Sequence, residues 1–188
     1  MKLLSFSSYE EYIKQQRRTD RRKRLRPCLS RVEVSDVAHW LRHHNAIVST
    51  GMCHGARQGQ EVDWYQDEFP RAKVWGTDLF PKGHDKVVQH DFHEENPKWV
   101  GAFDFVYSNA LDHSYDPVKA LTCWFGQLKE NGYLLTQWSR WHVTTRGGDC
   151  FGAEFHEYIS MIGKIGQVMD VIYHGNTILT IVARKRHA

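Results

Sequence analysis

Residues 46–59, AIVSTGMCHGARQG, carry the reading on which the fold rests. A short β-branched run, 46–50, enters a glycine-bearing turn, Ser49 to Gly59, and an amphipathic stretch predicts a helix over about 57–68. Glycines at a strand-to-helix turn let the backbone approach a ligand closely, with the unpaired N–H groups of the helix start behind them. Gly51 and Gly55, four apart, are the pair available for this. Taken alone, the turn reads equally well as a tight connection, and the segments on either side must decide.

Downstream, short apolar runs alternate with amphipathic stretches. Strands are predicted over 72–77 (AKVWGT), 86–89 (KVVQ), 103–107 (FDFVY) and 132–138 (GYLLTQW), and helices over 116–129 and 152–164. The last two strands, 167–173 and 177–184, are separated by His174-Gly175-Asn176, and Gly-Asn is a hairpin signal. Five parallel-type strands closed by an antiparallel hairpin make an α/β, doubly wound, mostly parallel seven-stranded sheet. Upstream, 8–24 (SYEEYIKQQRRTDRRKR) reads as a helix with acids in its first turn and basic residues toward its end, stopped by Pro27. A second short helix fits 34–43. The expected organisation is an N-terminal helical arm, 1–44, and a sheet domain, 45–188.

The carboxyl ends of the strands carry the polar residues. Asp78 ends the second strand some twenty residues past the glycines, where a doubly wound fold hydrogen-bonds ribose hydroxyls, with Leu79 beside it. A turn or capping role is the plainer reading of Asp78. In Gln89-His90-Asp91-Phe92, an acceptor beside an aromatic suits an adenine: Asp91 for the exocyclic amine and Phe92 for the ring. The fourth strand runs into Ser108-Asn109-Ala110-Leu111-Asp112-His113 at the same edge.

In order and spacing, this strand–GxxxG–helix, GTD, HDF, FDFVYSNALDHSYDP and LKENGYLL series resembles the class I S-adenosylmethionine-dependent methyltransferases, from about Asn45 to Arg184. The resemblance implies a Rossmann-like domain with S-adenosyl-L-methionine as cofactor. It places the glycine-rich first motif on Ser49, Gly51, Cys53 and Gly55, the ribose acid on Asp78 and the adenine acid on Asp91. The motif after the fourth strand falls on Ser108 to His113. The family usually has an acid where Ser49 stands and a glycine where Cys53 stands.

For chemistry, His113 is the candidate general base, because an imidazole titrates near neutrality and this strand end borders the transferred methyl; a helix-capping role is its equal alternative. Asn109 reads as a hydrogen-bonding partner of cofactor or acceptor. The long polar stretch after the fifth strand offers Trp138, Trp141, His142, Arg146 and Asp149, which with His113 could line an acceptor site. Twelve histidines show no HExxH or comparable spacing, so no dedicated metal site is expected. The four cysteines are far apart and form no CxxC pair, which makes a reducing, cytoplasmic compartment the default, and Cys53 and Cys150 lack a recognisable catalytic setting. No apolar run approaches the ~20 residues that cross a bilayer, and the N-terminal residues lack the hydrophobic stretch of a secretory signal.

The charge is uneven. Eight of the 25 Lys and Arg residues fall between 14 and 26 against one acid, and the other 17 face 21 acids, a net −4. Arg17, Arg18, Arg21, Arg22, Lys23, Arg24 and Arg26 suit bidentate phosphate contacts, although no aromatic interleaves them for base stacking. A solvated helix is as good an account of the block. The expected function is methyl transfer to a small polar or sugar-type acceptor. The alternatives are an RNA- or nucleotide-directed methyltransferase using the basic arm, and a non-catalytic scaffold of the same fold.

Overall fold

The computed structural model describes residues 1–22, 30–145, 148–175 and 177–186. In chain order the elements are β1 (Lys2–Leu3), α1 (Tyr9–Arg22), α2 (Arg31–His43), β2 (Thr50–His54), α3 (Gln60–Glu68), β3 (Lys73–Asp78) and β4 (Val87–Gln89). There follow β5 (Phe103–Ser108), α4 (Pro117–Gln127), β6 (Leu128–Ser139), β7 (Phe151–Gly152), α5 (Phe155–Ile165), β8 (Gly166–Tyr173) and β9 (Ile178–Lys185). Two 3₁₀ turns, Leu111–His113 and Arg140–Val143, follow β5 and β6.

Seven strands form one sheet in the order β4-β3-β2-β5-β6-β9-β8. The first five are parallel, and β9 runs antiparallel to both β6 and β8, as the hairpin pattern predicts. Period-two alternation sends neighbouring side chains to opposite faces, and both faces are covered. Cys53, Phe105, Tyr107 and Leu135 pack against Val34, Val37 and Leu41 of α2 and Val62 and Tyr65 of α3. Met52, Val106, Leu134 and Ile181 pack against Leu121 and Trp124 of α4 and Met161 and Ile162 of α5. Asp116 caps α4, accepting a hydrogen bond from the Lys119 N–H at 2.9 Å, and Pro117 follows in its first turn.

The first sheet strand lies further along the chain than its β-branched residues predict. The ladder runs from Thr50 to His54, while Ile47, in the predicted strand 46–50, is 86% exposed. Two interactions set this register. Asp104 on β5 accepts hydrogen bonds from the backbone N–H groups of Ser49 and Thr50, both at 2.8 Å, and pairs with Lys129. Gly51 lies under the Phe105 ring, where a Cβ would come within 2.2 Å of it. The glycine that reads as a ligand contact in the sequence is a packing glycine.

The N-terminal segment does not stand apart from the sheet. Besides the packing of α2, Tyr12 of α1 is buried and Gln16 donates to the Gly148 carbonyl at 2.8 Å. The two-residue strands β1 and β7 pair antiparallel, which nothing in so short a pattern announces. Among the described residues, no helix is long and apolar enough to cross a membrane. Lys23, Arg24 and Arg26 of the basic block lie outside the described residues, as does Asn176 of the hairpin turn.

Substituting Gly51→Ala forces the Phe105 ring to move and should lower stability by about 1–3 kcal/mol, as over-packed cores do. A urea-unfolding midpoint equal to wild type would show that the contact is not tight.

Candidate functional site

Helices leave β2 and β5 toward opposite faces of the sheet, α3 to one and α4 to the other. The loops above these two adjacent parallel strands therefore diverge and open a crevice at their carboxyl ends, the switch point where doubly wound sheets bind ligands. A cavity of about 610 Å³ lies there.

Its floor is the turn from β2 into α3. Gly55 takes φ +75° and faces Ala110, whose Cβ would sit 2.5 Å from any Cβ at position 55. Arg57 is also left-handed, at φ +40°, and Gly59 at φ +80° precedes α3. Asp78 clamps this turn to the next strand: one carboxylate oxygen accepts the Arg57 N–H at 3.0 Å, the other the Phe80 N–H at 2.7 Å. Burial raises the Asp78 pKa above the usual carboxylate range, against the lowering effect of those two N–H groups. Leu79, Phe80 and Phe92 add apolar wall on this side.

Glu61, in the first turn of α3, also faces the cavity. It is buried, and that burial, with the charge of Asp78 nearby, pushes its pKa up to about 7. The roof comes from α1, through Tyr12, Gln16, Thr19 and Asp20. Asp20 holds the roof down: its carboxylate pairs with Arg57 at 2.8 Å and with Lys82. Burial alone would raise the Asp20 pKa, and the hydrogen bonds from Lys82 and Arg57 outweigh it and lower it. Arg17 lies over the Phe80 ring at 5.2 Å.

The other half of the cavity is polar and holds Asn109, Asp112, His113, Trp141, His142 and Asp149. His113 Nδ1 faces the Gly148 carbonyl at 3.0 Å, so it carries the proton of the neutral ring, and Nε2 points toward Asp149 Oδ1 at 3.7 Å. His142 Nδ1 receives the Ser139 backbone N–H at 3.3 Å, which leaves its Nε2–H facing Asp112 Oδ2 at 3.8 Å.

Of the site residues expected from the sequence, Gly55, Asp78, Leu79, Phe92, Asn109, His113, Trp141, His142 and Asp149 line this one cavity. Others do not. Ser49 lies at the opposite edge of the sheet on Asp104, Gly51 is under Phe105, and Cys53 is fully enclosed within the ladder, its thiol pKa pushed up by burial. The four-residue displacement of β2 from the predicted 46–50 moves all three away from the crevice. Ser108 is buried and shapes the loop, donating to the His54 carbonyl at 3.0 Å and accepting the Ala110 N–H. Trp138 donates its indole N–H to the Ala153 carbonyl at 3.0 Å and packs on Phe155. Arg146 lies outside the described residues.

Asp91 does not line the cavity either. Its carboxylate accepts from the Tyr9 hydroxyl at 2.7 Å and from His93 Nδ1 at 2.6 Å, and His93 Nε2 meets Ser114 Oγ at 2.7 Å. This acid–imidazole–hydroxyl chain has the partners of a nucleophilic triad, yet Ser114 is 0% and His93 1% exposed. It is an internal brace between the β4 edge, α1 and the loop after β5.

The residues that the sequence reading missed are Glu61, Arg57 and the α1 roof. Glu61 follows Gly59 by two residues, and an acid there in the first helical turn was the available signal. The roof depends on how α1 folds back, which no local pattern encodes.

No protein-family model and no curated protein matches the chain. Solved structures do match. One is a Burkholderia thailandensis 1,6-didemethyltoxoflavin-N1-methyltransferase with bound 1,6-didemethyltoxoflavin and S-adenosylhomocysteine, at TM-score 0.71 and 14% identity over 98% of this chain and 93% of that one. A TehB-like SAM-dependent methyltransferase from Corynebacterium glutamicum matches at TM-score 0.61 and 16% identity, over 94% and 97% of the two chains. The N-methyltransferase NodS from Bradyrhizobium japonicum matches at 0.62 and 16%, over 84% and 96%. The chain has the fold of the S-adenosylmethionine-dependent methyltransferases.

Glu61 gives this site a measurable signature. Its raised pKa means its stabilising contribution is complete below the unfolded value near 4.5 and is lost as pH rises through about 7. Glu61→Gln should therefore melt higher than wild type at pH 8, by up to about 3 kcal/mol, and gain little at pH 4.5. An equal difference at both pH values would place the carboxyl in water.

Proposed function

We propose that this chain is a methyltransferase that uses S-adenosyl-L-methionine and acts on a small acceptor bearing a hydroxyl. The observation that carries the reading is the cavity at the β2/β5 switch point, with Asp78 on one side and a polar half-chamber on the other. The residues present suit such a cofactor. Phe92, Leu79 and Phe80 offer apolar surface to an adenine, and Asp78 keeps lone pairs beyond its two backbone bonds for ribose hydroxyls. Glu61 offers a buried carboxyl that a cationic group would return to its charged form.

When bound, the cofactor would supply an electrophilic methyl group on a sulfonium. The chain's own task is positioning and exclusion of water. The α1 roof, held by Asp20 on Arg57 and Lys82, covers the cofactor half. Asn109, Trp141, His142 and His113 surround the acceptor half. Its mixture of one indole with several hydrogen-bonding groups favours a small polar molecule. Arg18 and Arg21 are exposed on α1, and an anionic acceptor or a nucleic acid would meet them first.

Calorimetry with S-adenosylhomocysteine tests the reading. Wild type should bind one equivalent, and Asp78→Ala should bind about 10–100-fold more weakly through loss of charge-assisted hydrogen bonds. Wild-type protein that binds neither the product nor S-adenosylmethionine would leave the fold as a scaffold. Tight, steeply salt-dependent RNA binding in the intact chain would favour the nucleic-acid acceptor.

A further inference from the structure

We propose that Glu61 is a proton switch in the cavity wall: it carries a proton in the free protein and gives it up to water when a positively charged part of a ligand settles against it. The inference deepens the methyltransferase reading and rests on it, because the cofactor of that reading brings the cation.

Glu61 belongs to the cavity wall and is only 6% exposed. Among the described residues no side chain donates to its carboxyl, which its own backbone N–H alone meets. At least one carboxyl oxygen is therefore open to the cavity rather than sealed inside the protein, as the unpartnered hydroxyls of Tyr65 and Tyr107 are.

The groups around it offer no balancing charge. Asp78 acts on it from β3, and its own charge reaches Cys53 on β2, Tyr65 on α3 and Tyr107 on β5. Glu33 of α2 acts on the same two tyrosines and is itself engaged by Ser30 and Gln137. None of these groups is a cation. Arg57 and Lys82, the basic side chains on this side of the cavity, are drawn to Asp20 instead. A carboxyl enclosed in this way is most stable as the neutral acid, which is why its pKa stands at about 7. A cation brought against it reverses the preference, because opposite charges attract strongly where water is excluded.

The direction of the coupling follows. The protonated fraction of Glu61 falls as pH rises, so a cationic ligand has less proton to displace and binds more tightly. From a pKa of about 7, its affinity should rise about 10-fold between pH 6 and pH 8, with release of about half a proton per molecule at pH 7. A ligand without positive charge leaves the proton where it is.

The test is calorimetry on the full-length chain in two buffers of different ionisation enthalpy, which counts the protons exchanged on binding. Three probes separate the charges: S-adenosylmethionine has a sulfonium and an ammonium, S-adenosylhomocysteine the ammonium alone, and methylthioadenosine neither. S-adenosylmethionine should release about half a proton at pH 7 and methylthioadenosine none. Glu61→Gln should abolish the release and flatten the pH dependence of affinity. His113 and His142 remain in that variant, so the difference belongs to Glu61. Release with S-adenosylhomocysteine equal to that with the cofactor would sustain the switch with the ammonium against Glu61, and no release would sustain it with the sulfonium there. Infrared difference spectra of the wild type need no variant: the band of a protonated carboxyl should vanish when S-adenosylmethionine binds at pH 6. Cofactor binding without proton release, release that the variant keeps, or equal release with methylthioadenosine would overturn the switch and leave the methyltransferase reading standing. Protein that binds none of the three probes would overturn both.

Discussion

The close approach of Gly55 to Ala110 is the contact on which the rest of the site depends. Two adjacent parallel strands must send their chains to opposite faces of the sheet, and their loops have to pass each other first. A left-handed residue with no side chain lets this happen with 2.5 Å where a Cβ would have to fit. Once the loops part there, Asp78 can bind the backbone of one, the 3₁₀ turn can carry His113 on the other, and the crevice between them becomes a cavity.

The cavity is then closed by charge rather than by apolar packing alone. Asp20, on a helix otherwise crowded with arginines, meets Arg57 and Lys82 on the sheet domain. The pair is partly buried, so it is screened less than a surface ion pair and holds α1 in a defined place. The same helix contributes the Tyr9 hydroxyl to Asp91 and Gln16 to the Gly148 carbonyl, which is also the carbonyl that orients His113. The arm is thus mechanically continuous with the acceptor half. Its outward arginines remain exposed, while its inward face is part of the site.

Strand order and the closing hairpin were legible because they rest on period-two apolar runs and on a Gly-Asn turn, both local signals. Asp78, Asn109 and His113 were legible because strand ends in this architecture point to one edge. The register of β2 was not: β-branched Ala46–Thr50 looks more strand-like than Thr50–His54, but Asp104 and Phe105, more than fifty residues away, select the second. That displacement also took Ser49, Gly51 and Cys53 out of the crevice. Asp91 sits at the expected strand end, yet His93 and Tyr9 consume its oxygens, a competition between side chains that spacing cannot reveal. Glu61 escaped notice because a helix-start acid is ordinary until burial makes it costly.

Hydrogen–deuterium exchange with and without S-adenosylhomocysteine tests the central claim that the switch-point cavity holds the cofactor. The account predicts slowed exchange in the turn 55–59, at 78–80, across 109–113 and along the inward face of α1 at 12–20, with the β8–β9 hairpin unchanged. Protection absent from 55–59 and 78–80, or confined to segments outside the cavity, would contradict it.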